Sequence, residues 1–242
     1  MKPVLIIRTG RAPDPIRARH GDFPHWFRLS AGLQPRRLQV VDVANGEALP
    51  PPKEIAGAII TGSAAMVTER AHWSELTAGW IRDAMDVSLP LFGVCYGHQL
   101  MAHALGGTVG YLPGGREIGT QLIELTDAGK RDSLALGLPP HFRAHTTHEQ
   151  SVLEAPAEAA VLARSARDPH QWLRYGPHAL SVQFHPEFNA EVMRAYIRRK
   201  HSDMHREGND PKRVFGEVGA TPLARRVLRR FANAHLQDDG AS

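Results

Sequence analysis

Leu91-Phe-Gly-Val-Cys-Tyr-Gly-His-Gln-Leu100 is the stretch from which the fold can be read. It continues an apolar run, Leu89–Val94, that is hydrophobic on both faces. Runs of this kind suit a strand in a parallel sheet covered by helices on both sides. Gly97 to Leu105 then carries a helical pattern that stops at Gly106-Gly107. A buried strand running directly into a helix is the repeating unit of α/β folds.

Upstream, Pro3–Ile7, Leu38–Val43 and Ala58–Thr61 are short runs rich in branched residues and closed by turn residues. They read as three more strands. Trp73 to Met85 reads as a helix, with Leu76, Trp80, Ile81 and Ala84 at helical spacing. Downstream, residues 108–184 hold shorter strand-like runs: Gln121–Leu125, Ser151–Leu153, Val161–Ala163 and Ala179–Gln183. These predict an antiparallel extension of the same sheet. The glycine-rich Gly106–Gly115 lacks the Lys-Ser/Thr pair of a phosphate loop and reads as turns. Two helices close the chain. Ala190–Lys200 is one; the other opens with Thr221 as N-cap and Pro222 at its first position. Between them, residues 202–219 are rich in Gly, Asp and charge and read as a mobile loop. The expected fold is α/β, an open, mostly parallel central sheet with helices on both faces plus the antiparallel extension. It is expected as one domain over residues 1–242, with a core at about 1–188 and a helical extension at 189–242.

Composition narrows the class. The 242 residues are 42% hydrophobic and 22% charged, ordinary for a globular chain. No run approaches the roughly 18 apolar residues that a membrane span needs. MKPVLIIRTG turns polar too soon for a secretory signal. A lone cysteine cannot form an internal disulfide, which fits a reducing cytoplasm. The net charge of +4 resides after residue 188, where 11 Lys and Arg face 7 Asp and Glu; 18 of each precede it. Arg225, Arg226, Arg229 and Arg230 cluster on one helix without the interleaved aromatics of a nucleic-acid platform, so they read as a solvated face. Neither a nucleic-acid nor a membrane partner is expected.

The chemistry centres on Cys95. Gly93-Val-Cys-Tyr-Gly97 places Gly-x-Cys-x-Gly at the strand-to-helix junction, a nucleophile elbow with Cys in place of Ser. Glycines two before and two after remove side chains that would collide in the tight turn. The helix N-terminus behind the sulfur favours the thiolate, the reactive form. A thiolate still needs a proton shuttle for the leaving group. Of the 14 histidines, His185 stands out because it follows an apolar strand and precedes Glu187 by two residues. Such a carboxylate would orient the ring and stabilise its charged form. His145 with His148, and His98 with His103, are spaced like metal ligands, but no carboxylate cluster or second Cys completes either set. No metal and no cofactor is expected.

Gly93-Val-Cys-Tyr-Gly-His-Gln99 and Gln183-Phe-His-Pro-Glu-Phe188 together resemble the two signatures of class I (triad) glutamine amidotransferases. The resemblance extends over roughly residues 1–188 and is nearest to free-standing domains like the glutaminase part of GMP synthase. It implies a flavodoxin-like open sheet. It also implies attack of Cys95 on the glutamine side-chain amide through a γ-glutamyl thioester, with His185 as general acid/base and Glu187 orienting it. The oxyanion hole would be the backbone N–H groups of Tyr96 and Gly62. Gln99, Thr147 and His148 would bind substrate. Two departures bear on substrate identity. Gln150 stands where related enzymes often have an acid, and Met66-Val67 where they often have Ser-Val.

Only 54 residues follow Phe188, too few for a synthetase domain. Three readings remain open. The chain is a glutaminase that passes ammonia to a separate synthetase subunit, a hydrolase of another γ-glutamyl compound, or a non-catalytic relative. The intact Cys–His–Glu set argues against the last.

Overall fold

The structure is a computed structural model that describes residues 2–237. In its first half, strands β1 (Val4–Arg8), β2 (Leu38–Asp42), β3 (Gly57–Ile60) and β4 (Leu91–Val94) are interspersed with helices α1 (Asp14–His20), α2 (Phe23–Ala31), α3 (His72–Asp86) and α4 (Tyr96–Ala104). Next come β5 (Thr108–Tyr111), β6 (Glu117–Leu125), α5 (Asp127–Arg131), β7 (His141–His148), β8 (Gln150–Glu154), β9 (Ala160–Arg164), β10 (Trp172–Arg174) and β11 (Ala179–Val182). Helices α6 (Ala190–Arg199), α7 (His201–Arg206), α8 (Pro211–Gly216) and α9 (Pro222–His235) follow.

Nine strands among the described residues form one sheet, in the order β2-β1-β3-β4-β11-β10-β9-β6-β7. The five strands from β2 to β11 are parallel. The remaining four run antiparallel. Alternation along β1 shows how the sheet is covered. Val4 and Ile6 pack with α2, α6 and α9 on one face, while Leu5 and Ile7 pack with α3 and α4 on the other. All four side chains are fully buried, as the apolar runs require. No helix among the described residues is long and apolar enough to cross a membrane.

Several features differ from the sequence pattern. Ala179–Gln183, expected in the antiparallel extension, supplies β11, which pairs in parallel with β4 and so belongs to the parallel core. Residues 202–219, expected as a mobile loop, form α7 and α8. Asp210 caps α8 by accepting from the Lys212 N–H at 2.9 Å, and Arg116 grips Glu207 through two hydrogen bonds of 3.1 and 3.0 Å. Ser151–Leu153 lies in β8, which leaves the main sheet and pairs only with β5. That partner, β5, runs through the segment expected as turns. Thr221 precedes α9 as expected, but its side chain makes no capping bond. In the arginine cluster on α9, Arg229 donates to the Ser30 carbonyl at 3.1 Å and Arg230 to the Leu134 carbonyl at 2.8 Å. Half of that cluster therefore ties the helix down.

Candidate active site

The turn between β4 and α4 holds Cys95 at φ 53° and ψ −103°. A non-glycine residue in this region costs on the order of 1–3 kcal/mol and persists only where its surroundings enforce it. The two glycines supply the room. A Cβ on Gly93 would lie 2.5 Å from the Gly97 carbonyl oxygen and 2.7 Å from Met101 Sδ. A Cβ on Gly97 would run into the Ile60 carbonyl group. The Cys95 N–H donates to the Val182 carbonyl at 2.9 Å, and the Gly97 N–H donates to the Thr61 carbonyl at 3.1 Å. The elbow is thus fastened to the strands on either side of β4. Its sulfur lies 4.0 Å from the Thr147 carbonyl oxygen.

Parallel pairing of β11 with β4 explains how His185 reaches Cys95 from 90 positions away in the chain. Val182 is in register with Val94, so the chain leaving β11 emerges beside the elbow. His185 Nδ1 donates to Glu187 Oε1 at 2.7 Å. The His185 ring is buried and lies flat against Phe188, with centroids 4.0 Å apart and planes 11° apart. Burial disfavours a charged ring, but the Glu187 carboxylate and the Cys95 sulfur outweigh it and push the His185 pKa up to about 10. Near neutral pH the ring is an imidazolium beside the sulfur.

Gly62, just past β3, completes this group. A Cβ there would lie 3.1 Å from His185 Cε1 and 3.6 Å from Cys95 Cβ. The tips of β3, β4 and β11, neighbours in the sheet, thus converge at their carboxyl ends, where open α/β sheets bind ligands. A cavity of about 180 Å³ opens there, and Cys95, Tyr96, Gln99, Thr147, His148 and His185 all line it.

A family model described as "Glutamine amidotransferase class-I" matches residues 30–203, well over half of the chain. This chain belongs to the class I glutamine amidotransferases. It is 35% identical to a glutamine-hydrolyzing GMP synthase subunit of Methanopyrus kandleri, over 69% of this chain and 85% of that one. It is 28% identical to gamma-glutamyl peptidase 5 of Arabidopsis thaliana, over 76% and 75% respectively. The glutamine-hydrolyzing GMP synthase of Aeropyrum pernix is 37% identical over 60% of this chain, but the match spans only 26% of that longer protein. A glutamine amidotransferase structure from Thermotoga maritima superposes with a TM-score of 0.77 at 20% identity, over 98% of this chain and 99% of that one. That likeness extends the shared fold through the C-terminal helices.

The remaining expected residues of this amidotransferase serve the cavity in different ways. Tyr96 points its hydroxyl away, 2.6 Å from Ser74 Oγ on α3, so its main chain is the part beside Cys95. Gln99 Nε2 donates to the Gln150 carbonyl at 2.6 Å and to Gln183 Oε1 at 3.0 Å. It joins α4, the β7–β8 turn and the end of β11. Thr147 presents its carbonyl to the sulfur. The His148 side chain lies at the cavity wall, fully buried and held by two polar partners. Its Nε2 meets Glu117 Oε2 at 2.9 Å and its Nδ1 meets the Gln150 carbonyl at 2.9 Å. Burial disfavours a charged His148, but the Glu117 carboxylate outweighs it and holds the pKa above the ordinary value. Asp168, 3.9 Å from the ring, has its pKa raised by its own burial.

Glu117 and Asp168 had no local signal in the sequence. They lie 31 and 20 positions from His148; Glu117 meets it through the pairing of β6 with β7, and Asp168 from the loop between β9 and β10. Two further buried histidines each have one ring nitrogen beside a hydroxyl. His98 Nδ1 is 2.7 Å from Ser181 Oγ, and burial with the nearby His170 and His148 lowers its pKa to about 3. His145 Nδ1 is 3.2 Å from Thr120 Oγ1, and burial with the charge of His185 lowers its pKa to about 4.

Proposed function

We propose that this amidotransferase hydrolyses the side-chain amide of glutamine. The observation that carries the reading is the buried His185–Glu187 pair at 2.7 Å, set beside a cysteine in a strained elbow. Cys95 Sγ attacks the amide carbon, and the oxyanion accepts hydrogen bonds from the N–H groups of Gly62 and Tyr96. His185 gives its proton to the departing nitrogen, the C–N bond breaks and ammonia leaves. A γ-glutamyl thioester remains on Cys95. Water then yields a proton to His185 and attacks the thioester carbon. The C–S bond breaks, glutamate leaves and the thiolate–imidazolium pair is restored. Glu187 keeps Nδ1 protonated and the ring aligned throughout. A free thiol in this role suits a reducing compartment such as the cytoplasm.

The ammonia would pass to a separate synthetase subunit, a reading supported by the likeness to the GMP synthase subunit of Methanopyrus kandleri. Purified protein is expected to release ammonia from glutamine, and Cys95→Ala to abolish that release while leaving the protein folded. Inert wild-type protein would overturn the reading.

A second reading, hydrolysis of γ-glutamyl peptides, is favoured by Arg11, Arg199 and Lys200 at the cavity wall. These cations suit a leaving group that carries its own carboxylate. The match to gamma-glutamyl peptidase 5 supports it too. Cleavage of γ-glutamyl dipeptides by an enzyme inert on glutamine would select it.

A further inference from the structure

We propose that Glu149 is the acceptor for the substrate's α-ammonium group, and that Arg116 holds it in place for that task. The inference deepens the reading above, since it concerns the amino-acid end of whatever γ-glutamyl compound enters the cavity.

Charge is the first argument. Every substrate with an L-γ-glutamyl group brings an α-ammonium group, separated from the reacting carbon by two methylenes and the α-carbon. An ammonium leaving water needs a carboxylate partner. Glu149 is the only carboxylate among the described residues that line the cavity. Gln150, beside it, is neutral, so position 150 cannot supply the charge.

Placement is the second. Glu149 is two residues past Thr147, whose carbonyl lies 4.0 Å from Cys95 Sγ. The turn that contacts the reacting sulfur therefore also carries this acid. Glu149 is 29% exposed at its side chain, while its neighbours His148 and Gln150 are buried.

The carboxylate is held by cations yet stays at the cavity wall. Arg116 Nη2 contacts Glu149 Oε1 at 2.7 Å, and Lys200 Nζ approaches the same oxygen at 3.7 Å. Arg116 is itself fixed, being 5% exposed at its side chain and gripped by Glu207 through two hydrogen bonds. This arrangement orders the carboxylate before substrate arrives, which lowers the entropy cost of the contact.

Binding separates this inference from turnover. Full-length protein carrying Cys95→Ala, with and without Glu149→Gln, is titrated calorimetrically with L-glutamine and with glutaramate, which lacks the α-amino group. Glu149→Gln is expected to weaken L-glutamine binding roughly 10- to 100-fold, the size of one charge-assisted hydrogen bond. Glutaramate binding should stay unchanged, which also reports an intact pocket. Equal weakening of both ligands, an unchanged affinity for L-glutamine, or no binding of L-glutamine before the substitution each overturns the proposal. Glu149-dependent binding in a protein whose wild type releases no ammonia would sink the hydrolytic reading and leave the subsite standing.

Discussion

The main-chain N–H of Cys95 donates to the carbonyl of Val182 at 2.9 Å, three residues before His185. One hydrogen bond thus closes the distance between two motifs that are far apart in sequence. It also means that the elbow's backbone shape and the position of His185 are one mechanical unit. The unusual dihedral angles of Cys95 are held by β11 on one side and by the Thr61 carbonyl on the other.

Gly97→Ala attacks that unit. The added methyl meets Ile60 main chain, including its carbonyl carbon at 2.9 Å, and main chain cannot swing aside. The expected loss is about 3 kcal/mol, the upper end for overpacking, or roughly 6–12 °C in Tm. Ammonia release should fall roughly 100-fold or more, because an ångström of misplacement is enough. Gly79→Ala on α3 is the control. Its methyl meets nothing nearer than Arg82 Nη2 at 3.7 Å, so it should stabilise by about 0.5–1 kcal/mol. Thermal melts of the two variants check both signs; equal behaviour would refute the steric account of the elbow.

Glu187→Gln changes the charge state of His185. With the carboxylate present, the imidazolium persists up to a pKa of about 10. The proton that His185 is proposed to give to the leaving nitrogen is then available across the neutral range. Removing the carboxylate leaves burial to dominate, so the alkaline limb of kcat/KM moves to lower pH and kcat falls roughly 10²- to 10⁴-fold. The pairing also stabilises the fold. A raised folded-state pKa gives stability that is full below the unfolded value of about 6.5 and lost as pH rises toward about 10. A pH–rate profile with an unmoved alkaline limb would remove Glu187 from the role assigned to it.

How much of the fold and site is legible in the sequence depends on what each segment buries. The strands β1, β3 and β4 announce themselves because both their faces are apolar and buried. The strand β7 does not, because His145, Thr146 and His148 are among its buried residues. It carries part of the site, and polar side chains there erase the apolar alternation that marks a strand. The helix α2 needs tertiary information of another kind. Asp22 accepts from the Phe23 N–H and from the Ala12 N–H, both at 2.9 Å, so its cap is shared with a distant loop. Of the candidate site, the motif residues Cys95, His185 and Glu187 are visible as local patterns. Arg116, Glu117, Glu149 and Asp168 are not, since each depends on partners brought from other strands or helices.

Glu117→Gln tests the buried support beneath the β7–β8 turn. Glu117 takes hydrogen bonds from His148 at 2.9 Å, Gln171 at 2.7 Å and Ser165 at 2.5 Å. Breaking one side of a buried charged pair costs on the order of 3 kcal/mol, or roughly 6–12 °C in Tm. The sign of the pH dependence follows from His148, whose pKa is held above the ordinary value despite burial. The contribution of its charge is full below about pH 6.5 and fades as the pH rises through the folded-state pKa. Denaturant titrations should therefore show the largest gap between wild type and variant in mild acid and a smaller one in mild base. A gap that widened with pH would contradict a charged His148.

Phe188→Leu isolates the ring face from the charge pair. Phe188 lies 4.0 Å from the His185 centroid and is stacked in turn on Tyr196 at 5.1 Å. A charged imidazole over an aromatic face gains about 0.5–2 kcal/mol when desolvated, and a neutral ring gains less. Leucine keeps the site apolar but removes the π face, so the imidazolium alone loses support. The alkaline limb of kcat/KM should move acidic by roughly half to one pH unit, less than in Glu187→Gln. The KM for glutamine should stay nearly constant, because Phe188 is not among the residues that line the cavity. A variant that raised KM while leaving the limb in place would show that Phe188 shapes the pocket and does not tune the base.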